Sequence, residues 1–192
     1  MLIRSTSIDG VMVFVPTPHR DDRGFFIRTF DAEVAAAHGL DPHAFVQDSQ
    51  SRSRAGVLRG LHGRAGRGEA KLVRCARGAI HDVVVDARPD SPTFGRSAAF
   101  LLDDEQFWHL YIPPGMLHGF QVLTESADIC YRIDRPHDRT EDLSVRYDDP
   151  ELAIQWPLPV GVLSARDAAA GSWTDLRASL AGAGVAPVVH DG

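Results

Sequence analysis

One histidine, His62, stands alone inside the run "GVLRGLHGRAGRGEAKLVRCARG", with Arg59 before it and Arg64, Glu69 and Lys71 after it. Together with His118 in "IPPGMLHGF", these residues outline the metal-binding pattern H-x-H-x4-E followed by P-x-G-x-x-H, but Arg64 stands where the second histidine belongs. A guanidinium stays protonated and does not ligate a metal. His62, Glu69 and His118 could still form a two-histidine, one-glutamate site, although Arg64, Arg67 and Lys71 crowd it with positive charge. The favoured chemistry needs no metal and no cofactor. Imidazole titrates near neutral pH, which makes His62 a natural general base, with a carboxylate required to orient it. Tyr131 can return a proton from the other side of a substrate. Lys71 can stabilise the oxyanion that forms when a carbon beside a ketone is deprotonated. A base and an acid on opposite faces, with an enolate stabiliser, invert a stereocentre. Taken singly, each residue also suits a structural part: a packed histidine, a core tyrosine, a solvated lysine. Their joint presence favours proton transfer.

The charge around His62 is local. Residues 52–77 hold eight of the twenty Lys and Arg and a single acid, Glu69, whereas the whole chain carries a formal net charge of −6. That balance argues against a nucleic-acid binder. It points to a small anionic ligand, since arginine suits two-pronged contacts with a phosphate or diphosphate. The chain has no G-x-S-x-G elbow, no G-x-x-x-x-G-K-[ST] loop and no G-x-G-x-x-G turn opening a helix; "GRAGRG" joins strand-like segments.

The elements that must position these residues are short strands. At 192 residues and 44% hydrophobic, the chain suits one domain with a full core, expected over residues 1–180 with a loose tail over 181–192. Strands are predicted over 11–15, 24–30, 44–48, 57–62, 69–76, 79–86, 96–102, 107–112, 117–123, 127–134 and 143–147. Helices are predicted over "DAEVAAAHG", with Asp31 as N-cap and Gly39 as stop, and near "SARDAAAG" and "WTDLRASLAG". Many short strands at regular spacing imply an all-β jelly-roll barrel or sandwich. Alternation places Ala127, Ile129, Tyr131 and Ile133 on one inward face, and Lys71 on the same side as Val73 and Cys75. An inward lysine is costly unless it is paired or used. Cys75 and Cys130 make no disulfide framework and are expected to fill core space. No signal peptide is apparent and no segment approaches the ~20 apolar residues of a membrane span, so a soluble, cytoplasmic protein is expected.

With these features assembled, the chain resembles the dTDP-4-dehydrorhamnose 3,5-epimerase family of sugar-nucleotide epimerases. The matching stretches "DDRGFF", "FVQDSQSRS", "GVLRGLH", "AKLVR", "DVVVDARPDSPTFG", "IPPGMLHGF", "YRID", "DDPELAIQWP" and "LSARDAAA" run in order between residues 20 and 170. The resemblance implies a metal-free cupin-type jelly roll that forms a homodimer and acts on a dTDP-4-keto-6-deoxyhexose, epimerising C3, C5 or both. It implies that His62 is the base and that Asp167, in "SARD", is its paired carboxylate, a role that spacing alone does not supply. Tyr131 matches the acid, Lys71 the enolate stabiliser and His118 a further active-site histidine. Arg23 and Arg59 match arginines that grip the diphosphate, with Phe26 and Gln47 near the nucleotide.

The chain also departs from the family pattern. Arg28 replaces the Glu of "RGFFxE", Ser49 the Asn of "QDN", and Gly63 and Arg64 an aromatic residue and Gln. Pro136 and His137 replace a tyrosine pair, and Tyr147 a tryptophan. Base, acid and lysine are intact, which implies a specialised relative with altered recognition of its nucleotide. The alternatives are a 3,4-ketoisomerase on a similar substrate, a metal-dependent cupin oxygenase or isomerase, and a sugar-nucleotide-binding cupin without catalysis.

Overall fold

Two antiparallel sheets carry most of the chain, in a computed structural model that describes residues 1–183. The larger has the order β1 (Leu2–Ser5), β2 (Met12–Val15), β10 (His109–Ile112), β7 (Lys71–Arg77), β12 (Ser126–Ile133), β5 (Gln47–Arg54). The smaller has the order β13 (Asp142–Ser144), β6 (Leu58–Arg64), β11 (Met116–Val122), β8 (Ala79–Asp86), β9 (Ser97–Asp103). A separate hairpin pairs β3 (His19–Asp21) with β4 (Gly24–Phe26). The helices are α1 (Ala32–Ala37), α2 (Ala165–Ala168) and α3 (Trp173–Ala183). From β5 to β13 the chain changes sheet at every connection except β8–β9. This is the wrapping of a jelly roll, and the all-β, cupin-type fold expected from the sequence is the one observed.

Alternation along each strand explains the core. Val73, Cys75, Ala127 and Ile129 of the larger sheet meet Ile80, Val84, Met116 and Phe120 of the smaller in one buried cluster. Each large aliphatic side chain buried there stabilises the sandwich by about 1.5–3 kcal/mol. The smaller sheet is covered on its other face too. Val83 and Val85, alternate to Val84, join Leu61, Leu117, Trp173 and Leu176 in a second cluster beneath the C-terminal segment. The three valines of "HDVVVD" therefore run without a polar break because both faces of the strand are buried there. The longest family-like stretch, "DVVVDARPDSPTFG", is used to build a turn. Burial opposes ionisation of Asp86, but hydrogen bonds from Arg88, Ser91 and Thr93 outweigh it and bring the carboxyl down to about 2.

The structure differs from the sequence-based expectation at several edges. β5 covers Gln47–Arg54 rather than 44–48, because "QDSQSRSR" has no apolar alternation and is held by backbone pairing along the whole of β12. The strand placed at 24–30 ends at Phe26, and Leu2–Ser5 adds an edge strand beside β2. Asp31 caps α1 by accepting from Val34 N at 3.2 Å, and Gly39 follows in the left-handed region with φ +79°. Cys75 fills the core, but Cys130 does not. It faces outward from the larger sheet, half-buried beside Arg74 and Arg132 in a surface cavity of about 310 Å³. α3 runs on to Ala183, and the rest of the tail expected over 181–192 lies outside the described residues. Among the described residues, no helix is long and apolar enough to cross a membrane.

Candidate active site

β6 and β11 pair so that His62 and His118 stand opposite each other. The approach is closest at Gly60, where a Cβ would lie 2.5 Å from Gly119 Cα and 2.7 Å from the His118 carbonyl oxygen. With φ also at +119°, only glycine fits. The close contact brings both histidines onto one wall of a cavity of about 350 Å³, with Tyr131 and Lys71 also in its lining.

Each histidine is backed by a buried carboxylate. Ser164 caps α2 by accepting from Asp167 N at 3.0 Å, which fixes the turn that carries Asp167. Asp167 is 3% exposed, and its Oδ1 accepts from His62 Nε2 at 2.5 Å. A carboxylate accepts and does not donate, so Nε2 holds the proton and Nδ1 keeps its lone pair. Burial pulls the His62 pKa below the ordinary histidine value, and the charge of Asp167 partly opposes the fall. Asp167→Asn should therefore lower the titration midpoint of His62 further, as read by NMR of its ring protons against pH. A midpoint that rises would contradict this electrostatic account. His118 donates from Nε2 to Asp82 Oδ2 at 2.8 Å. Asp82 occupies the inward position between Ile80 and Val84 and is absent from the residues singled out by sequence, although an inward aspartate is the same signal as an inward lysine.

Tyr131 and Lys71 come from the larger sheet. The Tyr131 ring packs against the core and meets the His118 ring edge-on at 6.5 Å. Burial pushes its phenol up to about 12, so it holds its proton at neutral pH. Lys71 Nζ lies 2.9 Å from Glu69 Oε1, and Arg64 Nε donates to Glu69 Oε2 at 3.1 Å. Burial alone would raise the Glu69 pKa, but Lys71 and Arg64 outweigh it and hold the carboxyl below the usual range.

The basic segment does not offer its charge to the cavity as a block. Arg52 binds Asp128 at 2.5 Å, Arg67 binds Asp134 at 3.2 Å, and Arg64 is bound by both Glu69 and Asp142. Arg64 also donates to the Asp138 carbonyl and to His137 Nδ1. Arg64 and Arg67 thus tie "GRAGRG" to the loop after β12, a use that local sequence does not reveal. Arg59 differs. Its Nε donates to the Ser53 hydroxyl at 3.0 Å, and the residue lines the cavity with Gln47 and Ser49. Arg23 and Phe26 stand apart, on the β3–β4 hairpin outside this cavity, with the Arg23 side chain 89% and Phe26 69% exposed. Among the described residues, no three His, Cys, Asp or Glu gather as a metal-holding group.

The sequence profile of the dTDP-4-dehydrorhamnose 3,5-epimerases matches residues 5–175. The chain belongs to this family. The dTDP-4-dehydrorhamnose 3,5-epimerase of Escherichia coli K12 is 41% identical over 170 residues, covering 87% of this chain and 91% of the relative. Among solved epimerase structures, that of Legionella pneumophila in complex with dTDP-4-keto-L-rhamnose superposes with a TM-score of 0.88 at 40% identity, covering 93% of this chain and 96% of the other. ChmJ of Streptomyces bikiniensis, a 3'-monoepimerase in complex with dTDP-quinovose, superposes with a TM-score of 0.84 at 36% identity, covering 91% and 90%.

The departures of this epimerase-family member fall inside and outside the cavity. Ser49, Gly63, Arg64 and His137 line it. Gly63 leaves no room for the aromatic side chain usual in the family, since a Cβ there would lie 2.8 Å from the Met116 carbonyl oxygen. Arg28 is paired with Asp31 at 2.7 Å, outside the cavity, and the Tyr147 carbonyl accepts from Trp156 Nε1 at 2.9 Å.

Proposed function

We propose that this isomerase epimerises a nucleotide-diphosphate 4-keto-6-deoxyhexose, with dTDP as its nucleotide, at C3, C5 or both, in deoxysugar biosynthesis. The observation that carries the reading is the placement of His62, backed by Asp167, on one sheet and of Tyr131 on the facing sheet, around one cavity. His62 Nδ1 takes the proton α to the ketone, and the electron pair moves onto the C4 oxygen as an enolate. Lys71 stabilises that oxygen. Tyr131 then protonates the carbon from the opposite face and recovers a proton from solvent, while His62 releases the one it took. Arg59 holds the diphosphate, and His118, fixed by Asp82, holds the sugar. The cycle is redox-neutral and uses neither cofactor nor metal.

The exposed hairpin with Arg23 and Phe26 fits a homodimer, in which it would reach the nucleotide in the cavity of a second copy. A cytoplasmic location suits a substrate of this class. The direct test is deuterium uptake at C3 and C5 of dTDP-4-keto-6-deoxyglucose in D2O. Uptake at one carbon alone defines a monoepimerase, and movement of the carbonyl in the product defines a ketoisomerase. No uptake by the wild type, with dTDP or another nucleotide arm, would overturn the proposal. A stoichiometric metal in the purified protein, removed together with activity by a chelator, would overturn its metal-free part.

A further inference from the structure

The "GRAGRGEAK" segment carries a buried pairing with a part in Lys71 chemistry. We infer that Glu69 is the positioning residue for Lys71, and that it works as one half of a matched pair with Arg64. The inference rests on the proton-transfer reading above. Glu69 and Arg64 are nearly inaccessible, with side chains 6% and 7% exposed, and Lys71 is 15% exposed where it lines the cavity. The two carboxylate oxygens have separate partners, Oε1 on Lys71 Nζ and Oε2 on Arg64 Nε. A lysine has a flexible four-carbon stem and three rotatable donors, so its aim depends on a fixed acceptor. Arg64 is itself fixed by Asp142 and the Asp138 carbonyl, which makes it a firm support for Glu69.

This arrangement needs an acceptor at both ends of residue 69. A glutamine there has one oxygen and one NH2 group; the firmly held Arg64 keeps the oxygen, and the flexible Lys71 is left facing a donor. Replacing Arg64 by glutamine as well removes the conflict: Gln at 69 turns its oxygen to Lys71 and its NH2 to the oxygen of Gln at 64. Asp142 stays paired in that variant, because Arg166 holds its other oxygen at 2.6 Å.

The experiment compares wild type, Glu69→Gln, Arg64→Gln and the double variant. Misplacing the stabilising group should lower kcat of Glu69→Gln by about 10²-fold, with KM within about threefold of wild type. Arg64→Gln should lose less than Glu69→Gln, because the glutamine NH2 can still donate to the carboxylate of Glu69, and the double variant should recover to within about tenfold of wild type. A double variant no better than Glu69→Gln, or a Glu69→Gln enzyme at the wild-type rate, would overturn the inference. If Glu69→Gln fails to fold, the double variant decides alone, since only a matched pair predicts that it folds and turns over. A second readout is independent of turnover. In proteins labelled with 15N at lysine Nζ, the Lys71 ammonium, assigned by its absence in Lys71→Met, should exchange slowly with solvent in wild type and the double variant and rapidly in Glu69→Gln. Deuterium uptake absent from the wild type, with this exchange pattern intact, would sink the functional reading and leave the pairing standing. Equal exchange in all three proteins would sink the pairing.

Discussion

Changing His62 to glutamine should lower kcat by about 10²–10⁴-fold with little change in KM, the range for loss of one general acid–base group. Glutamine retains a polar side chain of similar reach but cannot accept a proton at neutral pH. Because the cavity wall is otherwise unchanged, binding of a dTDP-sugar measured by calorimetry should persist while deuterium uptake at C3 and C5 disappears. Turnover within tenfold of wild type would remove His62 from the role of base. The pH profile offers an independent check. The active form of His62 is unprotonated, and burial sets its pKa below the ordinary histidine value. The acid limb of kcat/KM should therefore fall below about pH 6.5, the unperturbed value, so that activity is retained into mildly acidic solution.

Changing Tyr131 to phenylalanine should separate the two halves of the reaction. The base is still present, so the α proton should still leave and exchange with solvent from the His62 face. Return of a proton from the opposite face should slow by about 10²–10⁴-fold. The signature is deuterium incorporated into unepimerised substrate, read by NMR and mass spectrometry of the recovered sugar nucleotide. Epimerisation at the wild-type rate, or loss of exchange as complete as the loss of epimerisation, would count against Tyr131 as the acid. Since burial pushes this phenol up to about 12, wild-type activity should not fall through loss of the tyrosine proton near the ordinary phenol value of about 10.

Strand alternation alone makes Lys71 and Tyr131 legible in the sequence, because a polar side chain between inward apolar neighbours needs a reason to be there. Asp82 obeys the same rule between Ile80 and Val84, but its partner His118 is 36 residues away and nothing local joins them. Asp167 is further still from His62, by 105 residues, and only the family resemblance supplies it. Charge is the least legible property. The arginines after His62 look like a phosphate grip when counted along the chain. In the fold, Arg64 is neutralised by Glu69 and by Asp142 at the start of β13, and Arg67 by Asp134 just after β12; among the described residues, Arg59 is the island arginine in the cavity without a carboxylate partner. β5 is only half visible for a related reason: an edge strand held by backbone pairing needs no apolar pattern. The placement of Arg23 and Phe26 on an outlying hairpin likewise depends on where the chain folds back, which residue types do not encode.

The carboxylate behind His62 does not belong to the sandwich. Asp167 is outside the cavity lining, on a short helix in the C-terminal segment, and that segment is fastened by Trp173 and Leu176 to the outer face of the smaller sheet. The two sheets thus supply most of the cavity wall, with Arg166 of the same short helix beside them, while on the proton-transfer reading the appended arm governs the strength of the base. A change at Asp167 itself can therefore retune proton abstraction without altering any residue of the cavity wall.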